Sequence, residues 1–237
     1  MKRLTIFFAF LWLGIMGASA QQKDNCDVNG DGVVNIMDVI YVVDHVLGKH
    51  EAQAVDLGLP SQTKWASFNV GASRPEEIGD YYAWGELEPK EIYGNSTYKY
   101  YKNGEYVHIG NDICNTEYDV VHQKWGGNWR MPTMADVWEL ISGCTQELTT
   151  LNGVKGMKFT SIYNSNSIFF PCSGEIYNEY PNGIGVDGGY WTSSAYQYDG
   201  YAYSLVFGST SSNPMYVTCE PGYRSVGIPI RPVSREW

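Results

Sequence analysis

Three hydrophobic patterns divide the chain. The first is an apolar run between Leu4 and Gly17, preceded by Lys2 and Arg3 and followed by Ala18-Ser19-Ala20. A basic start, an apolar stretch of that length and a small-residue cleavage site predict a secretory signal peptide over residues 1–20. In the second, Ile36, Val39, Ile40, Val43, Val46 and Leu47 recur at helical spacing. Asp38 lies at the start of that helix, where negative charge suits the dipole, and Gly48 is a natural stop. One short helix cannot bury such a stripe against itself. The stripe must cover the following domain, pair with another chain, or meet a partner.

The third pattern occupies the rest of the chain, after a short polar linker over 49–54. Strand-like pieces alternate with turn residues, at 64–70, 81–84, 157–162, 167–171, 190–194, 202–207, 215–219 and 225–232. One helix is well marked. Thr133 is its N-cap after Pro132, with Asp136 forming an imperfect capping box. Met134, Val137, Trp138 and Ile141 are the expected buried face, and Gly143 is the expected end. Residues 93–123 are polar and Tyr-rich, and read as a long insertion or hairpin. Strands, one capped helix and then many short strands define an α+β domain with an irregular, mostly antiparallel sheet.

Charge narrows the functions this chain can serve. Sixteen Lys and Arg stand against 26 Asp and Glu, a formal net charge of −10, and signal cleavage removes two of the basic residues. Such a chain is repelled by phosphate backbones and anionic lipid, so no nucleic-acid partner is expected. Beyond the signal peptide no apolar run approaches the roughly 20 residues of a membrane span. The residue after the expected cleavage is Gln21 in place of the Cys a lipoprotein anchor needs. The expected location is therefore secreted, periplasmic or cell-surface. Export also permits disulfides. Cys114, Cys144, Cys172 and Cys219 allow three pairings that sequence cannot choose among, and Cys26 stands apart.

The sharpest local motif runs from Asp27 to Asp38. Oxygen-bearing side chains fall at loop positions 1, 3, 5, 9 and 12, namely Asp27, Asn29, Asp31, Asn35 and Asp38. Val33, at position 7, offers its backbone carbonyl, and Gly32 sits where the chain must turn sharply. Calcium is a hard cation that takes about six to eight oxygens, and a twelve-residue loop with this spacing wraps one ion. Ca2+ is therefore the expected cofactor. This loop followed by one helix, over residues 21–50, resembles the repeat of dockerin domains, which dock enzymes of polysaccharide-degrading complexes into cohesins. The resemblance implies calcium binding and a cohesin-like or second dockerin-type module as a partner. Dockerins usually pack two repeats and carry Ser or Thr at positions 10 and 11, whereas this chain has one repeat with Ile36 and Met37 there.

Longer motifs follow in the domain over residues 55–237. Val55-Asp-Leu-Gly-Leu-Pro60, Gly79-Asp-Tyr-Tyr-Ala-Trp-Gly-Glu86, Trp125-Gly-Gly-Asn-Trp-Arg-Met-Pro-Thr133, Gly189-Tyr-Trp-Thr-Ser-Ser194 and Ile230-Arg-Pro-Val233 resemble the Fibrobacter succinogenes major paralogous domain, which is frequent in secreted Bacteroidetes proteins. That resemblance implies a C-type lectin-like fold, more distantly similar to sulfatase-modifying domains. The sugar-binding form of such lectins holds calcium with Glu-Pro-Asn beside Trp-Asn-Asp. Here Glu220-Pro221-Gly222 stands alone, without the oxygens that chemistry needs.

Enzymatic signals are weak. Cys219 is the only Cys near the C-terminus, where sulfatase-modifying oxygenases carry a reactive pair. The four His residues have no metal-ligand spacing. Gly183 to Gly188 matches a dinucleotide fingerprint but precedes a strand, where no helix N-terminus can cradle a pyrophosphate. Tyrosines offer a surface: Tyr98, Tyr100, Tyr101 and Tyr106 crowd one segment, and Tyr196, Tyr198, Tyr201 and Tyr203 another. A flat ring with a polar tip suits a glycan or a protein surface, and it also suits strand-edge packing. Tyr98, Tyr100, Tyr101, Tyr196 and Tyr198 are the candidate contacts. The resulting expectation is a non-enzymatic binding or scaffold protein that contacts a glycan or surface protein. The alternatives are an accessory component of a polysaccharide-degrading complex and, less favoured, a sulfatase-modifying-type oxidoreductase.

Overall fold

The computed structural model describes residues 28, 34, 36, 38, 39, 42, 52–210, 212, 213 and 215–235. Ile36, Asp38, Val39 and Val42 are helical. From there on the strands are β1 (Ala54–Val55), β2 (Lys64–Ala66), β3 (Tyr101–Lys102), β4 (Glu105–Tyr106), β5 (Trp129–Arg130), β6 (Cys144–Leu151), β7 (Val154–Ser161), β8 (Ser167–Pro171), β9 (Glu175–Tyr177), β10 (Tyr180–Asn182), β11 (Gly188–Ala195), β12 (Tyr201–Gly208), β13 (Tyr216–Tyr223) and β14 (Val233–Ser234). Two helices lie among them, α1 (Val120–Trp125) and α2 (Met134–Gly143).

The strands form small antiparallel sheets with few helices, an α+β and mostly β architecture. One sheet joins both ends of the domain in the order β1-β2-β14-β5, with Val233 paired to Trp65 on one side and Arg130 on the other. Two meanders, β6-β7-β8 and β11-β12-β13, supply the bulk of the strand structure. Among the described residues no helix is long and apolar enough to cross a membrane.

α2 shows how the local sequence sets its own boundaries. The Thr133 hydroxyl accepts the Asp136 backbone N–H at 3.2 Å, and the Thr133 N–H reaches the Asp136 carboxylate at 2.8 Å, a complete capping box. Val137 and Leu140 are buried against β11 and β12, with Met134 and Ile141 packed beside them. Trp138, expected on that face, is 45% exposed. Successive helical residues turn by about 100°, so Trp138 lies off the stripe centred on Val137 and Leu140.

Other boundaries also differ from the sequence expectation. β6 was not expected, because its alternating Thr, Gln and Glu side chains look polar throughout. It pairs with β7 through a two-residue Asn152-Gly153 turn, both residues at positive φ, the hairpin geometry this dipeptide favours. The expected strand at 225–232 is instead a buried extended strap. It is tied across the molecule by isolated bridges: Ile228 exchanges backbone hydrogen bonds with Tyr82, Gly227 exchanges them with Ile176, and the Ile230 carbonyl accepts the Val70 N–H. The expected strand at 64–70 ends at Ala66, and the Tyr-rich segment 93–123 holds the short β3-β4 hairpin and the start of α1.

Three apolar clusters fill the interior. The first centres on Trp65, Phe159, Phe170 and Phe207 beneath α2, the second on Tyr82, Trp84, Trp191 and Ile228, and the third on Tyr93, Tyr98 and Tyr100. Cys144, Cys172 and Cys219 are buried in the first and Cys114 is half-buried. All four are free thiols, so none of the three disulfide pairings is formed.

Arg231, fully buried, ties these layers together. Its guanidinium donates to Asn69 Oδ1 at 2.6 Å and to the carbonyls of Ala66, Ser67 and Phe169, and lies 4.5 Å from the Phe170 ring centroid. Burial lowers its pKa to about 10. A cation this deep persists because nearly every donor has an acceptor.

Candidate functional site

The β11-β12-β13 meander has two faces, because side chains alternate along each strand. Leu205, Phe207 and Cys219 point to one face and are covered by α2. Toward the β11-β12 turn that same face runs beyond the helix. There Tyr203 pairs across the sheet with Pro221, and Tyr201 with Tyr223. Tyr196, just past the end of β11, completes the group: its ring lies 5.3 Å from Tyr203, 5.5 Å from Tyr198 and 6.4 Å from Tyr201. Tyr201 and Tyr223 lie 4.6 Å apart. Tyr198 is 64% exposed and Tyr223 54% exposed, while Tyr196, Tyr201 and Tyr203 are half-buried. Five tyrosine rings thus make a continuous, partly solvated surface in which neighbours hold one another edge-on or tilted.

This surface rests on a rigid base. Below the turn sits Arg224, 1% exposed. Its backbone N–H donates to the Gly200 carbonyl at 2.8 Å and its Nε to the Tyr201 carbonyl at 3.0 Å. Its guanidinium lies 4.4 Å from the Trp84 ring centroid. Arg224 therefore fixes the turn that carries the tyrosines to the second core cluster. Gly200 is needed there for space as well as conformation. Its φ is +89°, and a Cβ would fall 2.5 Å from the Tyr106 ring. The Tyr106 ring therefore packs directly on Gly200, which brings the two tyrosine segments of the sequence together at one point.

The first segment contributes less surface than expected. Tyr98 and Tyr100 are buried in the third cluster, which corrects their assignment as ligand contacts. The Tyr98 hydroxyl donates to the Trp84 carbonyl at 2.7 Å, and the ring packs edge-on to Tyr100 at 5.7 Å. Their spacing in sequence is that of surface residues, but the loop folds inward because each phenol finds an internal partner or ring. Tyr101 is half-buried in the β3-β4 hairpin, 4.9 Å from Tyr106. Tyr223, not anticipated, joins the surface only through its register with Tyr201, which no local pattern reveals.

Of the expected calcium ligands, Asp27, Asn29, Asp31, Val33 and Asn35 lie outside the described residues. Asp38 is described and is 4% exposed. Its Oδ1 accepts the Val28 backbone N–H at 2.8 Å, which draws loop position 12 back onto position 2. Val34, Ile36, Val39 and Val42 are all exposed.

Among the described residues no cysteine carries an activated thiol. Burial pushes Cys219 and Cys144 up to about 12 and Cys114 to about 11, whereas a nucleophilic Cys needs a depressed pKa. Gly183 to Asp187 is a turn that enters β11, and no helix follows it. Glu220-Pro221-Gly222 lies within β13.

Compared with known proteins, the chain matches no family model, no curated protein and no solved structure.

Proposed function

We propose that this chain is an exported, non-enzymatic binding protein that contacts a glycan through the tyrosine face of its C-terminal meander. The observation that carries the reading is the clustering of Tyr196, Tyr198, Tyr201, Tyr203 and Tyr223 on the part of the sheet that α2 leaves uncovered. Tyrosine rings match the C–H faces of a sugar, and their hydroxyls answer the sugar's own. Few rotamers need freezing, because the rings already brace one another. The paired chain ends in the β1-β2-β14 sheet and the irregular antiparallel meanders support the finer reading of a C-type lectin-like domain of the Fibrobacter major paralogous type.

The test is a glycan array probed with the mature protein and with Tyr198→Ala and Tyr223→Ala variants. Binding by the wild type that falls at least ten-fold in both variants supports the reading. A blank array, or binding that both variants retain, sinks it in favour of a protein partner.

A second reading has an observation of its own. The exposure of Ile36 and Val39, together with the closure of Asp38 on Val28, supports a calcium-organised docking module for an accessory component of a polysaccharide-degrading complex. Calorimetric titration with Ca2+, with and without Asp31→Ala, tests the loop, and pull-down with cohesins tests the docking. The oxidoreductase reading has a buried, unactivated Cys219 against it.

A further inference from the structure

Three Asn-Gly pairs lie among the described residues, Asn103-Gly104, Asn152-Gly153 and Asn182-Gly183, and a fourth, Asn29-Gly30, lies outside them. In each the glycine offers a backbone nitrogen that no side chain of its own shields. The three therefore share one intrinsic chemistry, and only their surroundings tell them apart. Asn152 is at the tip of the β6-β7 hairpin, whose strands are 8 residues each, and its amide donates to Glu76 Oε1 at 3.1 Å. Asn182 belongs to β10, opposite Glu175, and its amide donates to Glu175 Oε1 at 3.4 Å. Its carbonyl packs so closely on Gly174 that a Cβ there would fall 2.2 Å away.

Asn103 has none of these restraints. It is exposed, at the tip of the β3-β4 hairpin, whose strands are 2 residues each. One further bond, from the Val107 N–H to the Tyr100 carbonyl at 2.7 Å, closes the base of that hairpin. Among the described residues neither the Asn103 side-chain amide nor the Gly104 N–H has a partner. A Cβ on Gly104 would meet nothing within 4 Å, so the space around the nitrogen is open.

We propose that Asn103 is a self-modification site, the first of these three to deamidate, with water as the sole co-reactant. The Gly104 nitrogen bonds to the Asn103 Cγ, and the Cγ–Nδ2 bond breaks. The proton that Gly104 loses is made good on the departing nitrogen, which leaves as ammonia. Water then opens the five-membered imide at either carbonyl. Attack at Cγ gives aspartate, and attack at the backbone carbonyl gives isoaspartate, with the chain running on through Cβ and Cγ. Asn103 has a φ of +54°, and closing the ring requires the turn to unwind. Local opening is easier where fewer paired residues must part, so β3-β4 unwinds before β6-β7.

The product reaches beyond the tip. Isoaspartate adds a backbone atom to a two-residue loop whose geometry suits only that length. Tyr106, in β4, packs on Gly200 and lies 4.9 Å from Tyr101. Isoaspartate at 103 therefore loosens Tyr106 from Gly200 and frees the turn that carries Tyr198. The chemistry at 103 stands whatever the tyrosine face binds.

The experiment incubates the full mature protein in mildly alkaline buffer, native and in denaturant. The three peptides are followed by mass spectrometry, with isoaspartate separated from aspartate by chromatography. In the native protein Asn103 should convert at least three-fold faster than Asn152 or Asn182. In denaturant the three rates should converge to within two-fold. Native conversion of Asn152 or Asn182 as fast as that of Asn103, or none at Asn103, overturns the proposal. A ranking that persists unchanged in denaturant overturns it too, because flanking sequence would then set the rates. In the isolated isoaspartate fraction the Gly200 amide resonance should shift from its place in the unmodified protein. An unmoved Gly200 overturns the link to the tyrosine turn.

Discussion

Trp84 and Trp191 brace each other's strands. The Trp84 indole N–H donates to the carbonyl of Thr192, next to Trp191, and the Trp191 indole N–H donates to the carbonyl of Tyr82, two residues before Trp84. Both bonds are 2.8 Å and both rings are fully buried. The segment around 82–84 pairs by backbone only with Ile228 and Arg224, so these two indoles add the link from it to the strand of Trp191. Replacing Trp84 by Phe should cost about 2 kcal/mol, because the buried Thr192 carbonyl loses its indole donor, and Trp191→Phe about 1 kcal/mol, because the Tyr82 carbonyl keeps the Ile228 N–H. The two losses should couple, with the double variant losing less than the sum by about 1 kcal/mol. Urea denaturation of the four proteins of the cycle measures this, and strict additivity would refute the bracing.

Arg231 should tolerate no substitute. A lysine ammonium has three donors where four acceptors wait, and it has no planar face for Phe170. Arg231→Lys is expected to lower stability by about 3 kcal/mol or more, as the loss of a buried, bonded cation does. A melting temperature within a degree or two of wild type would show that the guanidinium is dispensable.

Stability should also depend on acid through Asp136. Burial opposes its charge, but two hydrogen bonds and the charge of Arg130, with help from Thr133, hold the carboxyl below its ordinary 3.8. The unfolded chain binds that proton at the ordinary value and the folded chain only at lower pH. The contribution of Asp136 is therefore complete above about pH 5 and is lost as pH falls through its depressed pKa. Asp136→Asn should be less stable at neutral pH and show a shallower loss of stability between about pH 4 and pH 2. Parallel acid slopes in the two proteins would rule this out.

The thiols offer a simpler check. Cys144, Cys172 and Cys219 should react with a maleimide only as fast as the domain opens, since each is buried and its thiolate disfavoured. In denaturant and without reductant, all three should label within minutes. Mass spectrometry that finds any of them already joined would contradict the free-thiol arrangement.

Fold class and the elements with strong local chemistry were legible in the sequence. Thr133 and Asp136 announced α2, and the apolar runs at 167–171 and 202–207 announced β8 and β12. β6 was obscured because an edge strand can stay polar, although Asn152-Gly153 marks its turn. The buried strap at 225–232 looks like a strand because it is apolar and extended, and its scattered bonding depends on partners far away in sequence. The tyrosine surface was half legible. Local crowding identified Tyr196 and Tyr198, but it also suggested Tyr98 and Tyr100, whose inward turn depends on Trp84. It omitted Tyr223, whose place depends on strand register.

The pairing of Val233 in β14 with Trp65 in β2 makes the last strand the clasp of the second. Contacts so distant along the chain form late, after most of the loop-closing entropy has been lost. Until β14 pairs, β2 and β5 lack the strand that lies between them, and their hydrophobic residues stay open to wrong neighbours. Acquisition of the native state is thereby delayed until β14 has docked.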